Sequence, residues 1–583
     1  MNSTFIRILS YLPSLGRGLV MGLLLLCMPI SAQVPKTLKQ VRSATYTVRT
    51  YDADGNALRT GRGFFVPGGD FITSYALLPH CAKAEIVDSK GRSYAISKVL
   101  GASDTYDVVR LQTAPVKKRV SAPTDTTAAM EHTSLFLPAL GKEKKVHDEW
   151  LKVVNTEQVA GGYAYYTLQH AGAEALSHRP LLDTSGNVVA IVQPSTDTDT
   201  VLYALDICYA LDLAVKALSV NDPAYRAIAL RKALPADTAQ ALVSLYLASE
   251  HTDAALRAEV IDEFISMFPG SSEGYLSRAA HRIALGTDST YALAETDHGK
   301  ALAQAADKAD EVHFRIAKQI LSVALDTTIR YKDWDLARAI AEIDKARAIN
   351  PLPVYAQQQG DIYITLKDYA AAYEKYMEVN HSAMGTPDTW LRTAYIVEQR
   401  AGEGDRELSV ALIDSAVSRA QLTMEKSAFS IQNSSPAPYV LERALLKARY
   451  DMHRQAVADY NLYEELVGTV STDRFYYLRE QSEAAGRMYQ QALDDIKRAI
   501  ALAPQQPVYL LELASLNVRI ARYAEALPIL EALVAAFPND TDCNRLLGFC
   551  HIQLGNKSRG IPYLEKAAAM GDGNAAALLE RNR

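Results

Sequence analysis

The stretches YQQALDDIKRAIALAP, from Tyr489 to Pro504, and YAEALPILEALVAAFP, from Tyr523 to Pro538, are two copies of one pattern. Their tyrosine, alanine and proline positions are each separated by 34 residues. A small residue lets two helices approach closely, and a proline ends the second helix. The pattern therefore predicts an α-helical repeat with a period of 34 residues.

The same register extends through much of the C-terminal part of the chain. It continues to Gly548 and Leu564 in the last copy, and upstream copies lie around Ala339 and Ala456. This spacing resembles the tetratricopeptide repeat. The resemblance implies an all-α solenoid over residues 236–583, with about eight to ten repeats, several of them degenerate. An α-solenoid without a fixed period would share the composition but not the repeated spacing.

Residues 33–220 follow a different pattern, in which short strands alternate with frequent turns. The predicted strands include Thr45–Val48, Gly63–Val66, Ala84–Val87 and Val188–Val192. Many short strands with frequent turns predict an antiparallel β-barrel or sandwich. Residues 221–235, which open with Asn221-Asp222-Pro223, are predicted to form a helical linker between the two halves.

Three segments of the β half resemble the trypsin-like fold, especially the Deg-type bacterial serine proteases. They are GRGFFVPGGDFITSYALLPHCAKAEI (Gly61–Ile86), YDVVRL (Tyr106–Leu111) and ALSHRPLLDTSGNVVAIV (Ala175–Val192). The resemblance implies that residues 33–220 form a degenerate trypsin-like β-barrel domain. An unrelated β-barrel is the alternative.

The resemblance places the catalytic triad positions at Ala76, Asp107 and Ser177. Ala76 stands where the family has its general-base histidine, and alanine cannot accept a proton. Asp107 remains without that histidine to orient, and Ser177 occupies the nucleophile position. We therefore expect no working catalytic site.

Three glycines of the family's nucleophile loop are replaced here by Ala175, His178 and Arg179. Glycine permits special backbone angles and close approach of a substrate chain. Loss of the three glycines is expected to disturb the oxyanion-hole donors and to fill the cleft with side chains. His80 and His178 are candidates for a substitute base, but we expect Ser177 to be a turn residue and His178 a surface residue.

In tetratricopeptide arrays the first helix of each repeat lines a concave face that typically binds peptides or protein segments. The register puts Tyr477, Arg545 and Phe549 on this face. The chain has 32 tyrosines against 12 phenylalanines, and tyrosine is well suited to interfaces. The predicted partner is thus a protein or peptide in the solenoid groove. The alternative is that these side chains only pack between helices.

The first 32 residues have the layout of a secretory signal peptide. Arg7 and Arg17 precede the apolar run Leu19–Leu26, and Ile30-Ser31-Ala32 is the small-residue exit. This run is shorter than the roughly 20 apolar residues of a membrane span. We expect cleavage after Ala32, export to the periplasm or alternatively the outer surface, and no membrane span afterwards. The alternative to cleavage is that the segment stays uncleaved and anchors the protein in the membrane.

Bulk composition excludes several kinds of partner. The net charge of -6 argues against nucleic-acid binding. No CxxC, HExxH or clustered His/Asp set is present, so no metal or cofactor is predicted. Cys543 and Cys550 are seven residues apart on a predicted helix and cannot bridge each other. Pairing of Cys81 with Cys208 is left open.

These observations predict an exported, non-catalytic protein-binding adaptor or scaffold in the bacterial envelope. One alternative is an active or conditionally active serine peptidase. The other is a structural subunit of an envelope secretion or assembly complex.

Overall fold

The computed structural model describes residues 35–126, 133–140, 147–170, 176–194, 201–251, 253–426, 435–468 and 472–582. The predicted signal peptide, residues 1–32, lies outside the described residues, and so does Ala175. The chain forms two compact units, Met1–Gln304 and Ala305–Arg583, which we call the first and second units.

The first unit contains the β half and the first helices that follow it. Its strands are β1 (Thr45–Tyr51), β2 (Ala57–Phe65), β3 (Phe71–Thr73), β4 (Lys83–Val87), β5 (Ser93–Ser103), β6 (Val108–Thr113), β7 (Ser134–Leu137), β8 (Glu149–Gln158), β9 (Ala164–Leu168), β10 (Pro180–Leu182), β11 (Val188–Val192) and β12 (Leu202–Asp206). Its α-helices are α1 (Leu38–Ala44), α2 (Ile207–Asp212), α3 (Pro223–Arg226), α4 (Thr238–His251), α5 (Ala254–Met267), α6 (Ser272–Ala284) and α7 (Asp288–Ala303).

The strands close into two antiparallel barrels of six strands each. The first barrel has the order β1-β2-β3-β6-β5-β4 and the second has the order β10-β11-β12-β9-β8-β7. Side chains alternate between core and surface along β1, where Tyr46, Val48 and Thr50 are buried, while all five residues of β11 are buried. This architecture confirms the predicted trypsin-like fold.

The linker segment, residues 221–235, is built into the first barrel. Tyr225, Ile228 and Leu230 are buried in the barrel core. The Val99 N–H donates to the Arg231 carbonyl at 2.8 Å, and the Ala233 N–H donates to the Val99 carbonyl at 2.9 Å. The segment is α-helical only over α3 and then runs parallel to β5.

The second unit is entirely helical. Its helices are α8 (Ala309–Ala324), α9 (Leu336–Ile349), α10 (Pro353–Thr365), α11 (Tyr369–Asn380), α12 (Pro387–Arg400), α13 (Asp405–Lys426), α14 (Ala437–Arg449), α15 (His453–Val467), α16 (Asp473–Ala485), α17 (Tyr489–Leu502), α18 (Pro507–Arg519), α19 (Tyr523–Ala536), α20 (Thr541–Gln553), α21 (Lys557–Ala569) and α22 (Gly573–Asn582). They form seven successive pairs and a last helix, as the repeat pattern predicts.

Small residues allow the two helices of a pair to pack closely. Ala492 and Ala526 are completely buried. A Cβ atom added to Gly548 in α20 would come within 2.8 Å of Leu564 Cγ and 2.9 Å of the Gly560 carbonyl in α21. The backbones therefore approach where the 34-residue register places its small residues.

Two features of the described residues bear on other sequence predictions. Cys81, Cys208, Cys543 and Cys550 are all free thiols, and Cys543 and Cys550 lie on one helix, α20. Among the helices that the structure describes, none has the length and apolar character needed to cross a membrane.

The turn inside each of the last three repeats contains one residue in the left-handed region. Arg487, Ala521 and Gly555 have φ of 64°, 61° and 83°. In each turn the next residue donates its N–H to a carbonyl five residues earlier, at 2.8 Å, which closes the end of the first helix. Glycine adopts this conformation without steric cost.

We expect Ala521→Gly to raise the free energy of unfolding and Gly555→Ala to lower it, each by about 1 kcal/mol. The expected loss in Gly555→Ala comes from the backbone conformation and not from a steric clash, because nothing lies within 4 Å of a Cβ atom added to Gly555. Urea unfolding of the two variants measures both effects. Changes of the same sign would contradict this account of the turn.

Candidate functional site

Asp107 lies at the mouth of the first barrel, in the turn that precedes β6. Its carboxylate accepts hydrogen bonds from the Ser74 hydroxyl, at 3.0 Å to each oxygen, and from the Ala76 N–H at 2.6 Å. Ala76 itself is exposed. The carboxylate that the family uses to orient a histidine is therefore held here by the backbone of the residue that replaces that histidine.

His178 brings an imidazole to the same carboxylate. Its Nε2 lies 2.6 Å from Asp107 Oδ2, although not along a hydrogen-bonding direction. The His178 side chain is only 14% exposed, so the expectation of a surface residue is wrong. Its φ of 65° lies in the left-handed region, which differs from the ordinary backbone angles assumed for a surface histidine in a turn.

The other residues of the nucleophile loop take different positions. Ser177 lies in a turn and is partly buried, as expected. Arg179 is buried, and its guanidinium donates to the Pro138 carbonyl at 3.4 Å. His80 is exposed, and its backbone N–H donates to the Ala227 carbonyl at 2.8 Å. Of the two candidate substitute bases, His178 is the one that contacts Asp107.

This arrangement determines which chemistry the site can support. A triad needs a histidine that bridges the aspartate and the serine. Here the imidazole on Asp107 belongs to the residue directly after Ser177, and Ala76 offers only its N–H. His178 therefore fills space in front of Asp107 that the family's histidine would need.

A second candidate site lies on the last repeats of the second unit. A cavity of about 470 Å³ is formed by α18, α20 and α22. Arg545 and Phe549 line it together with Glu512 and Arg519. Tyr477 lies one repeat earlier and is not among the lining residues. We call this cavity the repeat groove.

Neighbouring side chains hold the groove residues in place. Arg545 Nε lies 2.7 Å from Asp572 Oδ2, and the same guanidinium also pairs with Asp542. The Phe549 ring packs edge-on against Tyr523 with centroids 5.9 Å apart. Arg545 and Phe549 thus combine structural contacts with exposure to the groove.

Sequence reasoning missed the carboxyl groups beside the groove. Glu480 is completely buried, and burial followed by the nearby Glu512 raises its pKa to about 8. Gln481 donates to its Oε2 at 2.9 Å, whereas Oε1 has no hydrogen-bond partner among the described residues. Burial and then Asp495 raise the pKa of Glu483 to about 8 as well. Glu480 takes the same repeat position as Gly548, 68 residues later, which is the signal that could have marked it as buried.

These carboxyl groups predict that the last repeats lose stability in mild alkali. The folded state holds Glu480 and Glu483 protonated above their ordinary pKa of 4.5, so unfolding releases protons. That stability is complete below about pH 4.5 and is lost as the pH rises through about 8. We expect Glu480→Gln to remove about 2 kcal/mol of the decline in unfolding free energy between pH 6 and 9. Glu531→Gln, at an exposed position, is the control and should leave the decline unchanged.

Comparison with known proteins agrees with the repeat assignment. Residues 521–581 match the family model described as tetratricopeptide repeat. None of the curated proteins is significantly similar to this sequence.

Solved structures with local similarity fall into two groups. The chain is similar to an HtrA-type protease, AlgW with tripeptide (15% identity, 32% of this chain, 62% of that one, TM-score 0.26). It is also similar to the serine endoprotease from Yersinia pestis (14% identity, 33% of this chain, 68% of that one, TM-score 0.25). A third similar structure is that of MamA (16% identity, 30% of this chain, 96% of that one, TM-score 0.24). The chain thus spans 62% of the length of the first of these proteins.

The fold now defines the class of protein. Two closed six-stranded barrels form a trypsin-like β domain, and tetratricopeptide repeats follow it along the chain. Repeat arrays of this kind present extended concave surfaces that bind other proteins.

Proposed function

We propose that this protein is a non-catalytic adaptor or scaffold that binds other proteins in the bacterial envelope, in the periplasm. The observation that carries the proposal is the contact of His178 with Asp107, made while Ala76 occupies the histidine position. It supports a barrel that keeps the protease fold without the protease mechanism. The sequence of residues 1–32 supports export.

The histidine position of the triad holds no general base in this chain. A serine hydroxyl is a weak nucleophile until a neighbouring base takes its proton. Ala76 has no group that can do so, and its N–H is already used by Asp107. The His178 imidazole lies against the same carboxylate, which prevents a histidine from a partner from entering there.

The repeat groove supplies the binding function in this proposal. It joins an apolar surface at Leu511 and Phe549 with charges of both signs at Glu512, Arg519 and Arg545. A groove of this composition suits an extended peptide with apolar and charged side chains.

Ser515→Tyr in the full chain tests the binding proposal, because Ser515 lines the groove and a large ring would fill it. Lys497→Glu, at an exposed position on α17, is the matched control. We expect proteins crosslinked to the wild type in envelope extracts to be lost with Ser515→Tyr and retained with Lys497→Glu. Identical crosslinking by all three proteins would refute the groove as the binding site.

A serine peptidase is the second candidate, because the imidazole of His178 reaches Asp107 directly beside Ser177 in the chain. We expect a fluorophosphonate probe to leave the intact mass of the wild type unchanged, since Ala76 stands at the position of the triad's general base. Ser177→Ala is the control. A single adduct that disappears in Ser177→Ala would establish the peptidase and overturn the non-catalytic proposal.

A further inference from the structure

A cavity of about 320 Å³ lies inside the first unit, between the linker segment and helices α4 and α5. Its size is at the lower end of the roughly 300–1,000 Å³ typical of small-molecule sites. Most of its lining is apolar, and the principal contributors are Val215, Tyr225, Leu230, Leu247, Leu256 and Val260. The cavity is separate from both sites described above.

The charged residues that line this cavity all have the same sign. They are Lys216, Arg226, Arg231 and Lys232, and no carboxylate is among the described residues that line it. Apolar pockets with a few convergent polar groups are the usual form of ligand sites. The electrostatics of this one favour an anion and oppose a cation.

These cations differ in their partners. Arg231 pairs with Glu259 and Glu263, so its charge is already compensated. Lys232 donates to the Ile228 carbonyl and forms no ion pair within the described part of the chain. Burial lowers the pKa of its ammonium group, as expected for a cation without a counter-ion.

We propose that this cavity binds an anionic amphiphile of the fatty-acid type, a carboxylate on an unbranched apolar tail. The tail lies against the apolar lining near Leu247 and Val260, and the carboxylate accepts a hydrogen bond from the Lys232 ammonium. An uncharged chain would leave the Lys232 ammonium uncompensated. An amine of the same length would be repelled by the Lys232 ammonium, which forms no ion pair among the described residues.

Such a ligand would also stabilise the packing of the elements around the cavity. The linker segment belongs to the core of the first barrel, whereas Leu247 and Leu256 belong to α4 and α5. A molecule bound between them contacts both parts and stabilises their packing. Binding is therefore expected to raise the thermal midpoint of the first unit.

The first test compares three chains of equal length on the wild-type full chain by isothermal titration calorimetry. Sodium decanoate should bind saturably, at least about tenfold more tightly than decanol, because a charged hydrogen bond is lost in the alcohol. Decylamine should not compete with it. Equal affinities for the three compounds, or no saturable binding of decanoate, would overturn the proposal.

Variants then locate the site. Lys232→Met should weaken decanoate binding by roughly tenfold, and Leu247→Trp should abolish it by filling the cavity. Lys90→Met, at an exposed turn of the first barrel, should change nothing. Circular dichroism checks the fold of each variant, and unchanged affinity in a folded Lys232→Met protein would place decanoate elsewhere. A short peptide ending in leucine is the competing occupant, and tighter binding of that peptide than of decanoate would replace the proposal.

Discussion

Ala76→His alone is expected to leave Ser177 unreactive toward a fluorophosphonate, whereas Ala76→His combined with His178→Gly restores labelling. A new imidazole at residue 76 must reach the Asp107 carboxylate, but His178 Nε2 already lies 2.6 Å from Oδ2. Removing the His178 side chain opens that space. A positioned general base contributes about 100-fold or more, so labelling should accelerate by at least about that factor.

The backbone favours this reconstruction. His178 has a φ of 65°, and glycine adopts that conformation without strain, so the second substitution should not harm folding. His178→Gly alone is the control and should remain unreactive because it has no base. The triple variant Ala76→His/His178→Gly/Ser177→Ala should also remain unreactive. Equal labelling of Ala76→His with and without His178→Gly would show that His178 does not obstruct the site.

The second large effect is expected in the repeats, where Arg479→Leu should lower the free energy of unfolding by about 3 kcal/mol or more. Arg479 is almost completely buried and makes two hydrogen bonds to Asp495, at 2.5 and 3.0 Å. It also donates to Glu464 at 2.7 Å. Removing the cation leaves Asp495 buried without its main partner, which is the costly way to break a buried ion pair.

The chain itself offers the matched replacement. Leu513 and Ile529 stand 34 residues after Arg479 and Asp495, so the next repeat has apolar side chains at both positions. The double variant Arg479→Leu/Asp495→Ile should therefore recover most of the loss. Lys308→Leu, which breaks an exposed pair with Glu311, is the control and should change stability by less than about 1 kcal/mol. An equal loss in the single and double variants would contradict this interpretation.

These ion pairs are a feature of the repeats that the 34-residue spacing did not predict. Arg443 pairs with Asp459, and Arg479 pairs with Asp495, each time 16 residues along the chain. Asp459, Arg479 and Asp495 are buried, and the repeat after Arg479 and Asp495 has the apolar residues Leu513 and Ile529 at the same positions. A search for apolar periodicity reads them as surface residues, although the spacing of small residues remains intact.

The altered triad was only partly predictable for a different reason. Motif order was enough to assign Ala76, Asp107 and Ser177 to the three positions. The direction of the His178 side chain depends on a φ of 65°, which is unusual for a histidine. An argument from sequence neighbours assumes ordinary backbone angles and so placed this imidazole at the surface.

The linker segment shows a third limit. Its N-terminal part was recognisable because Asp222 caps a helix that starts with Pro223. The pairing of residues 231–233 with Val99 involves one short parallel bridge. Such a bridge leaves no alternation of apolar and polar residues that would identify it in the sequence.

The position of that segment has a consequence for how the protein is made. Because Tyr225, Ile228 and Leu230 complete the core of the first barrel, the barrel cannot finish folding before these residues are available to it. A gene fragment that stops at residue 220 would encode a barrel with an open core, so any exchange of repeat arrays between such proteins must cut after residue 233.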